Sequence, residues 1–324
     1  MKKIIKNILS TLFVFINVLC VAGQQKITVA ADGSGDYKTV QAAIDAIPAE
    51  NTKPVIIHIR KGRYKEVITV PAGKDFISFV GDDSNNTVLT YDNHTGVVLP
   101  DGKVADTRTS ASCFVYGNNF HAENISFENN AGFSAGQAVA IRIEADKASF
   151  YKCRMTGFQD VLFLSGSKVR NYFKDCYIEG TTDFIFGSAT AVFENCHIHS
   201  KKNSHVTAAS TDAAVPFGFV FFHCTLTADD SLTKVSLGRP WRPYSSVTYI
   251  NCYLGKHILP EGWNNWKDAA NEKTARYAEY MSTGPGANPE GRAPWSRQLS
   301  SDEVKQYTLK NIFGDTGWLI EKEE

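Results

Sequence analysis

The chain is dominated by short runs in which apolar and polar residues alternate, each closed by Gly, Asn or Asp. Residues 55–59 (VIIHI), 67–70 (VITV), 76–80 (FISFV) and 87–90 (TVLT) are of this kind. Alternation with period two between turn formers predicts short, half-buried strands. One early segment departs from this pattern. Residues 39–47 (TVQAAIDAI) have helical spacing and end at Pro48, which predicts a short helix.

From the middle of the chain onward the strand pattern repeats. The context aromatic-x-x-Cys, followed by an alternating apolar position, occurs at Phe150/Cys153, Phe173/Cys176, Phe193/Cys196, Phe221/Cys224 and Tyr249/Cys252. An earlier segment, Phe120-His-Ala-Glu-Asn124, reads as the first member, with Asn124 in the cysteine position. Units of about 20–30 residues, each a short alternating strand between turns, predict a solenoid. No unit contains a helix-period segment, so the expected architecture is all-β, a parallel β-helix. The early helix would then cover the open end, where unpaired strand edges need protection. After Cys252 the pattern gives way to loops rich in Gly, Pro and Trp. Residues 301–312 then read as a capped terminal helix. No linker divides the chain, so a single domain over residues 24–324 is expected.

Composition narrows the function. The chain has 324 residues, 43% hydrophobic and 21% charged, enough for a long continuous core. Residues 1–23 have the form of an export signal: Lys2, Lys3 and Lys6, an apolar run from Ile8 to Val21, then the small residues Ala22 and Gly23. Ser10, Thr11 and Asn17 interrupt that run, which is short for a membrane span. Cleavage before Gln24 is therefore expected, giving an exported protein, periplasmic or extracellular, with no membrane association afterwards. Cys20 follows Asn17-Val-Leu19, a poor site for lipid attachment. Losing the three lysines leaves the 34 acidic residues in slight excess. No basic field for nucleic acid remains. Export permits disulfides, but there is no C-x-x-C. Five of the seven cysteines lie in the repeat, which predicts an inward ladder of free thiols packing as small apolar groups.

The repeat also aligns chemistry. Asp160 follows Cys153 by seven residues, and Asp183 follows Cys176 by the same seven. If each repeat is one coil, the two carboxylates stack on neighbouring strands, which lie about 4.8 Å apart. Such a pair divides into one protonated acid and one anion. Gln137 precedes Gln159 by about one coil, so their amides can aim at one point, as an oxyanion site requires. Arg239 in Leu237-Gly-Arg-Pro-Trp241 offers a guanidinium to hold a carboxylate ionised. Applied to the pair, it should lower the pKa of Asp183 and leave the proton on Asp160.

These segments, GFQD at 157–160, DFIFG at 183–187, QAVA at 137–140 and LGRPW at 237–241, together resemble the signature motifs of the pectin methylesterases (pectinesterases). Residues 62–66 (GRYKE) resemble that family's G-x-Y-x-E segment, and the likeness runs from Asp32 to Ala287. The resemblance is to a secreted, bacterial member. It implies a right-handed parallel β-helix without metal or cofactor, acting as a monomer on methylated pectin. Carried over by position, it makes Asp183 the nucleophile and Asp160 the general acid and then base. Gln137 and Gln159 form the oxyanion hole, Arg239 orients Asp183, and Trp241 and Phe186 line the sugar site. Val161, Phe163 and Thr182 depart from the residues common in the family. These departures bear on sugar subsites rather than on the reaction.

Other readings remain open at this stage. Two carboxylates also suit a glycosidase, a lyase would want a calcium cluster of acids, and a non-catalytic β-helix could simply bind carbohydrate. Taken singly, the same residues have plain structural readings: an Asp capping a turn, an Arg in a surface pair, a Trp packed beside Pro240. Gly132-Phe-Ser134-Ala-Gly136 matches the serine-hydrolase elbow, but that elbow needs a strand–turn–helix, so it reads as a loop. His197 and His199 share a strand face without a third ligand and read as solvated. Asp82-Asp83 reads as a turn.

Overall fold

In a computed structural model, which describes residues 25–319, the chain winds as a right-handed parallel β-helix. The described strands form three sheets of eleven, eight and seven members, and every paired strand is parallel. The central coils each contribute one strand to each face in turn, and the first and last coils add strands to the largest sheet alone. The right-handed winding is the hand that parallel crossovers take.

What holds successive coils in register is a set of inward side-chain columns. Phe150, Phe173, Phe193, Phe221 and Tyr249 are exact register partners on the largest sheet. Their rings stack at 4.8, 4.8, 4.5 and 4.4 Å between centroids, within 10° of parallel. All are fully buried, and burying each is worth roughly 1.5–3 kcal/mol. One turn on, Cys153, Cys176, Cys196, Cys224 and Cys252 form the second column, buried and unbridged. Their thiols lie 3.4–3.5 Å from carbonyl oxygens of the same and neighbouring coils.

Between the two columns the chain turns on a single residue with positive φ: Lys152, Asp175, Asn195, His223 and Asn251. Asn124, φ 57°, belongs to this corner series and not to the cysteine column. Tyr151 pairs with Glu123, so Ile125, fully buried, stands where the cysteines follow. The expectation for Asn124 was one residue out of register.

The helix Val40–Asp45 forms at the N-terminal end, its first turn capped by the Thr39 hydroxyl. Glu66, the acid of the GRYKE segment, accepts from the Val40 and Gln41 amides at 2.9 and 3.0 Å, which fits the positive end of a helix. The other end differs from expectation in two ways. First, the solenoid continues past Cys252 as strands Arg276–Tyr280 and Arg297–Gln298. There Glu279 takes the place of Tyr249's next ring and makes a two-bond ion pair with Arg292, each 3% exposed. Second, residues 301–312 do not form one helix. A 3-10 turn, Val304–Gln306, ends at Tyr307, and Thr308 caps a new short helix, Leu309–Phe313. This segment carries Ile312 and Phe313 onto the outer face of the largest sheet, against Tyr172, Val192 and Val220. No described helix is long and apolar enough to cross a membrane. The leader-like residues and Cys20 lie outside the described residues.

Burial pushes the Cys153 thiol up to about 12, so it stays protonated and unreactive in the fold. Thiol titration of the native protein should therefore find the six described cysteines silent. In denaturant without reductant all six should react; a deficit of four or more thiols would mean a bridged ladder.

Candidate active site

On the smallest sheet the strands Ile141–Ile143, Leu162–Leu164, Ile185–Gly187, His205–Ala209 and Ser236–Pro240 lie side by side. Chain enters each from a turn, and those turns make one wall of a cleft of about 330 Å³. Leu162 pairs with Ile185, so Asp160 and Asp183, each two residues earlier, occupy the same place on adjacent coils. Both have positive φ, 65° and 51°, a conformation Asp tolerates better than most residues. The Asp160 amide donates to Thr182 O at 3.0 Å, and the Asp183 amide to His205 O at 2.8 Å. The stacked pair is thus held by the parallel ladder itself.

Gln137 and Gln159 also meet across a parallel bridge. Between that bridge and the pairing of Ile141 with Leu162, one strand has four steps and its partner three. The Val161 carbonyl takes up the mismatch, accepting from Ala140 N at 2.8 Å and Ile141 N at 3.2 Å. This bulge is the kind that re-aims a side chain beside a site. It brings both glutamines into the lining of the same cleft as the aspartates.

Arg239 reaches Asp183 with two hydrogen bonds, Nε to Oδ1 at 2.9 Å and Nη2 to Oδ2 at 2.6 Å. Its neighbour Gly238 is needed for this approach, because a Cβ there would sit 2.0 Å from Thr207 Oγ1. Trp266 covers the other side of the guanidinium, 3.6 Å from Cζ to the ring centroid. Phe163 and Phe186 stack at 4.4 Å to form the floor, and Trp241 meets both edge-on, at 6.5 and 6.0 Å. Gly187 closes the strand with φ 123°; a Cβ there would lie 2.0 Å from Leu164 O.

The electrostatics separate the two acids. Asp160 and Asp183 are 8% and 6% exposed. Burial raises the Asp160 pKa well above the carboxylate range, and the charge of Asp183 adds to this; Arg239 and the Gln159 side chain oppose it. Asp183 is raised too, by burial first, against the opposing contact with Arg239. As expected, the Arg239 guanidinium lowers the Asp183 pKa, but desolvation outweighs it and the net direction is upward. The order within the pair is as expected, with Asp160 the partner that holds its proton.

Thus Asp160, Asp183, Gln137, Gln159, Arg239, Trp241 and Phe186 all line one cleft. Trp266, Arg108, Thr107 and Asp106 line it as well and were not anticipated, because they come from irregular loops outside the repeat. His205 was also missed, though it had a signal. It follows Asp183 by nearly the interval separating the aspartates, and it continues their column, sharing a hydrogen bond with Ser236 Oγ at 2.7 Å. Burial, with Arg239 nearby, lowers its pKa to about 4, so its ring is neutral near pH 7. Ser134 lies exposed in a loop with no strand–turn–helix. His197 and His199 point outward to Thr227 and Asp229, and Asp83 caps the turn at Asn85.

Fold and site together describe a β-helical protein with an acid–base cleft walled by aromatic rings. A sequence profile of the pectinesterase family matches residues 26–316, and the chain belongs to that family. It is 42% identical over 306 residues to Pectinesterase 31 of Arabidopsis thaliana, covering 92% of this chain and 96% of that one. Pectin methylesterase from carrot superposes with a TM-score of 0.84 at 35% identity, over 90% of this chain and 94% of its own. A pectin methylesterase solved in complex with a hexasaccharide gives 0.81 at 26% identity, over 91% and 98%.

Arg239→Gln should move the acid limb of the activity profile to higher pH. Without the guanidinium Asp183 holds its proton more tightly, so a smaller fraction is ionised at acid pH. Activity at pH near 5 should fall much more than at pH near 8, read from initial rates across pH; an unmoved acid limb would contradict the role of Arg239.

Proposed function

We propose that this chain hydrolyses the methyl esters of galacturonic acid units in pectin, releasing methanol, with Asp183 as nucleophile and Asp160 as acid and then base. Family membership carries the reaction and its substrate class. The observation that carries the roles is the asymmetry of the pair: two stacked carboxyls, of which only Asp183 receives the Arg239 fork.

In this reading the ester carbonyl lies between Asp183 and the glutamine amides. The Asp183 carboxylate attacks the carbonyl carbon, and the negative charge that develops on the carbonyl oxygen is met by N–H donors of Gln137 and Gln159. Collapse breaks the bond to the methoxy group, which takes the proton of Asp160 and leaves as methanol. Asp160, now a carboxylate, removes a proton from water; the hydroxide adds to the acyl carbon and Asp183 departs as a carboxylate. Each proton and bond is then restored. Trp241, Phe186 and Phe163 offer the apolar surface for sugar faces, and no step calls for a metal. A glycosidase reading would need a carboxyl placed to protonate a glycosidic oxygen; the amide pair suits a carbonyl oxyanion better.

We also propose that residues 1–23 are removed on export and that residues 24–324 act as one domain, as a monomer free of the membrane. The leader pattern supports export, to the periplasm or beyond the cell; the reading of a bacterial member belongs to this proposal, since the similar Pectinesterase 31 is a plant protein. Support for a monomer comes from the surface: the large exposed apolar side chains, among them Val98, Phe133, Tyr253 and Met281, are scattered along the described chain.

Methanol release by folded variants tests the roles. Asp183→Asn should nearly abolish turnover. Asp160→Asn should lose about 10²–10⁴-fold, and the double variant should be little worse than Asp183→Asn. Because burial raises the Asp160 pKa, the unfolded chain loses that proton at lower pH than the folded one, and stability is spent as pH rises through that window. Asp160→Asn should therefore melt no lower than the parent at neutral pH. A folded Asp183→Asn that outperforms Asp160→Asn would reverse the two roles.

Ser134→Ala should keep activity within a few-fold, measured by the same assay. An inactive but folded Ser134→Ala protein would overturn the aspartate mechanism.

A further inference from the structure

The turn from Gly157 to Asp160 carries two groups of the site, Gln159 and Asp160, and neighbouring coils tie down most of its backbone. The Thr181 amide donates to Phe158 O at 2.8 Å, and the Ala138 amide to Gln159 O at 3.1 Å. Gly157, which opens the turn, is buried, and a buried carbonyl needs a donor. Here the donor is a side chain, Lys201 Nζ, at 2.9 Å.

Lys201 comes from two coils further on. The strands Arg154–Thr156, Tyr177–Gly180 and His197–Ser200 are successive neighbours on the eight-stranded sheet. Gly157 follows the first of them and Lys201 the third, so the lysine reaches across the middle strand. That strand supplies Glu179, whose Oε1 accepts from Nζ at 3.0 Å. The Tyr177 hydroxyl holds Glu179 in turn, donating to Oε2 at 2.8 Å. The ammonium also lies over the Phe158 ring, 4.2 Å from its centroid, and Phe133 meets the same ring edge-on at 6.0 Å. An ammonium has three donors, and these face a carbonyl, a carboxylate and an aromatic ring. The Lys201 and Glu179 side chains are 21% and 22% exposed. This is not the loose surface pair that contributes little.

We propose that Lys201 is a positioning residue for the acid step: by fixing Gly157 O and the Phe158 ring, it sets the turn that aims Gln159 and Asp160 at the ester. This rests on the esterase reading above. Lys201 acts through the turn and not as a charge on the acid; the charged groups that face Asp160 are Asp183 and Arg239. Without the lysine the turn loosens at its first residue and admits water to Asp160. Burial is the main reason Asp160 keeps its proton. Hydration therefore lowers its pKa, and the acid form is lost at lower pH.

The test replaces Lys201 by Met, which keeps the apolar stem and removes the donor. In Lys201→Met, kcat for methanol release should fall about ten- to a hundredfold, the scale on which small misplacements act, with KM within about twofold. The basic limb of the rate profile should move to lower pH. Lys201→Arg, which can still donate to both oxygens, should restore part of kcat and of the limb. Carboxyl-carbon NMR of aspartate-labelled protein reads the same shift without substrate. The Asp160 signal, assigned by its loss in Asp160→Asn, should titrate at lower pH in Lys201→Met than in the parent. Lys201→Gln, too short to cross the middle strand, should behave likewise and serves if the Met variant does not fold. A folded variant whose Asp160 titration is unmoved would overturn the proposal, as would a loss confined to KM. A parent enzyme that releases no methanol would refute the esterase reading alone, because the carboxyl titration still decides what Lys201 does.

Discussion

Coil-to-coil register is the constraint on which the rest of this structure depends. In a parallel solenoid, a slip of one residue on one strand would turn its inward side chains outward. Here the intervals between successive cysteines are unequal, yet Phe150, Phe173, Phe193, Phe221 and Tyr249 remain opposite one another. The extra residues of the longer coils are carried in loops, so the columns stay straight. A stacked ring cannot shift by one position without losing its neighbours above and below. The catalytic geometry inherits that rigidity. Asp160 and Asp183 stand opposite because Leu162 and Ile185 do, and no special device is needed to bring them together.

Where the site needs something the regular ladder does not supply, the chain departs from it locally. The bulge opposite Val161 brings the two glutamines into the cleft, and Gly238 lies against Thr207, where there is no room for a Cβ. The main energetic conflict is between desolvation and charge. Burial works against ionising either aspartate, and one guanidinium placed on one of them breaks the tie. The same burial strengthens every electrostatic contact a substrate oxyanion would make. Trp266, lying over the other face of Arg239, shields the pair from water on that side. A second buried ion pair, Glu279 with Arg292, has a different part. It replaces the next ring in the aromatic column, and that column ends there.

Most of this was legible in the sequence because the repeat writes the third dimension into the spacing. Equal offsets from Cys153 and Cys176 place the two aspartates together on spacing alone, and the strand segments near residues 55, 77 and 87 follow from alternation. The failures have physical causes. Asn124 was put in the cysteine column because the first unit has Ile125 there, and without a cysteine only the corner conformation shows the true register. The coil at Arg276–Tyr280 was missed because Glu279 replaces the aromatic residue that marked the earlier ones. The terminal helix was drawn too long because helical spacing runs through Tyr307, whereas Thr308 begins a new helix. Trp266 and Arg108 come from loops with no period to read. Net pKa direction at Asp183 depends on burial, which a motif does not contain.

The aspartates also show how little the fold had to change to become a site. A left-handed residue that is not glycine costs on the order of 1–2 kcal/mol, and such residues at active sites are usually exceptional. In this chain they are routine: Asn124, Lys152, Asp175, Asn195, His223 and Asn251 all turn corners with φ near 50–57°. Asp160 and Asp183 use the same conformation at another corner of the coil, one pleat before the strands of the smallest sheet. From this corner both aspartates line the cleft. Asp and Asn are among the residues that bear it best, so an acid at that corner needs no further adaptation of the backbone. Two consecutive coils that place Asp there, with His205 in the third, yield a graded column. The two aspartates share one backbone geometry and differ in charge through what surrounds each side chain, whereas His205 continues the column as the first residue of a strand. The asymmetry between nucleophile and acid therefore has its origin outside the column, in Arg239 on a more distant coil.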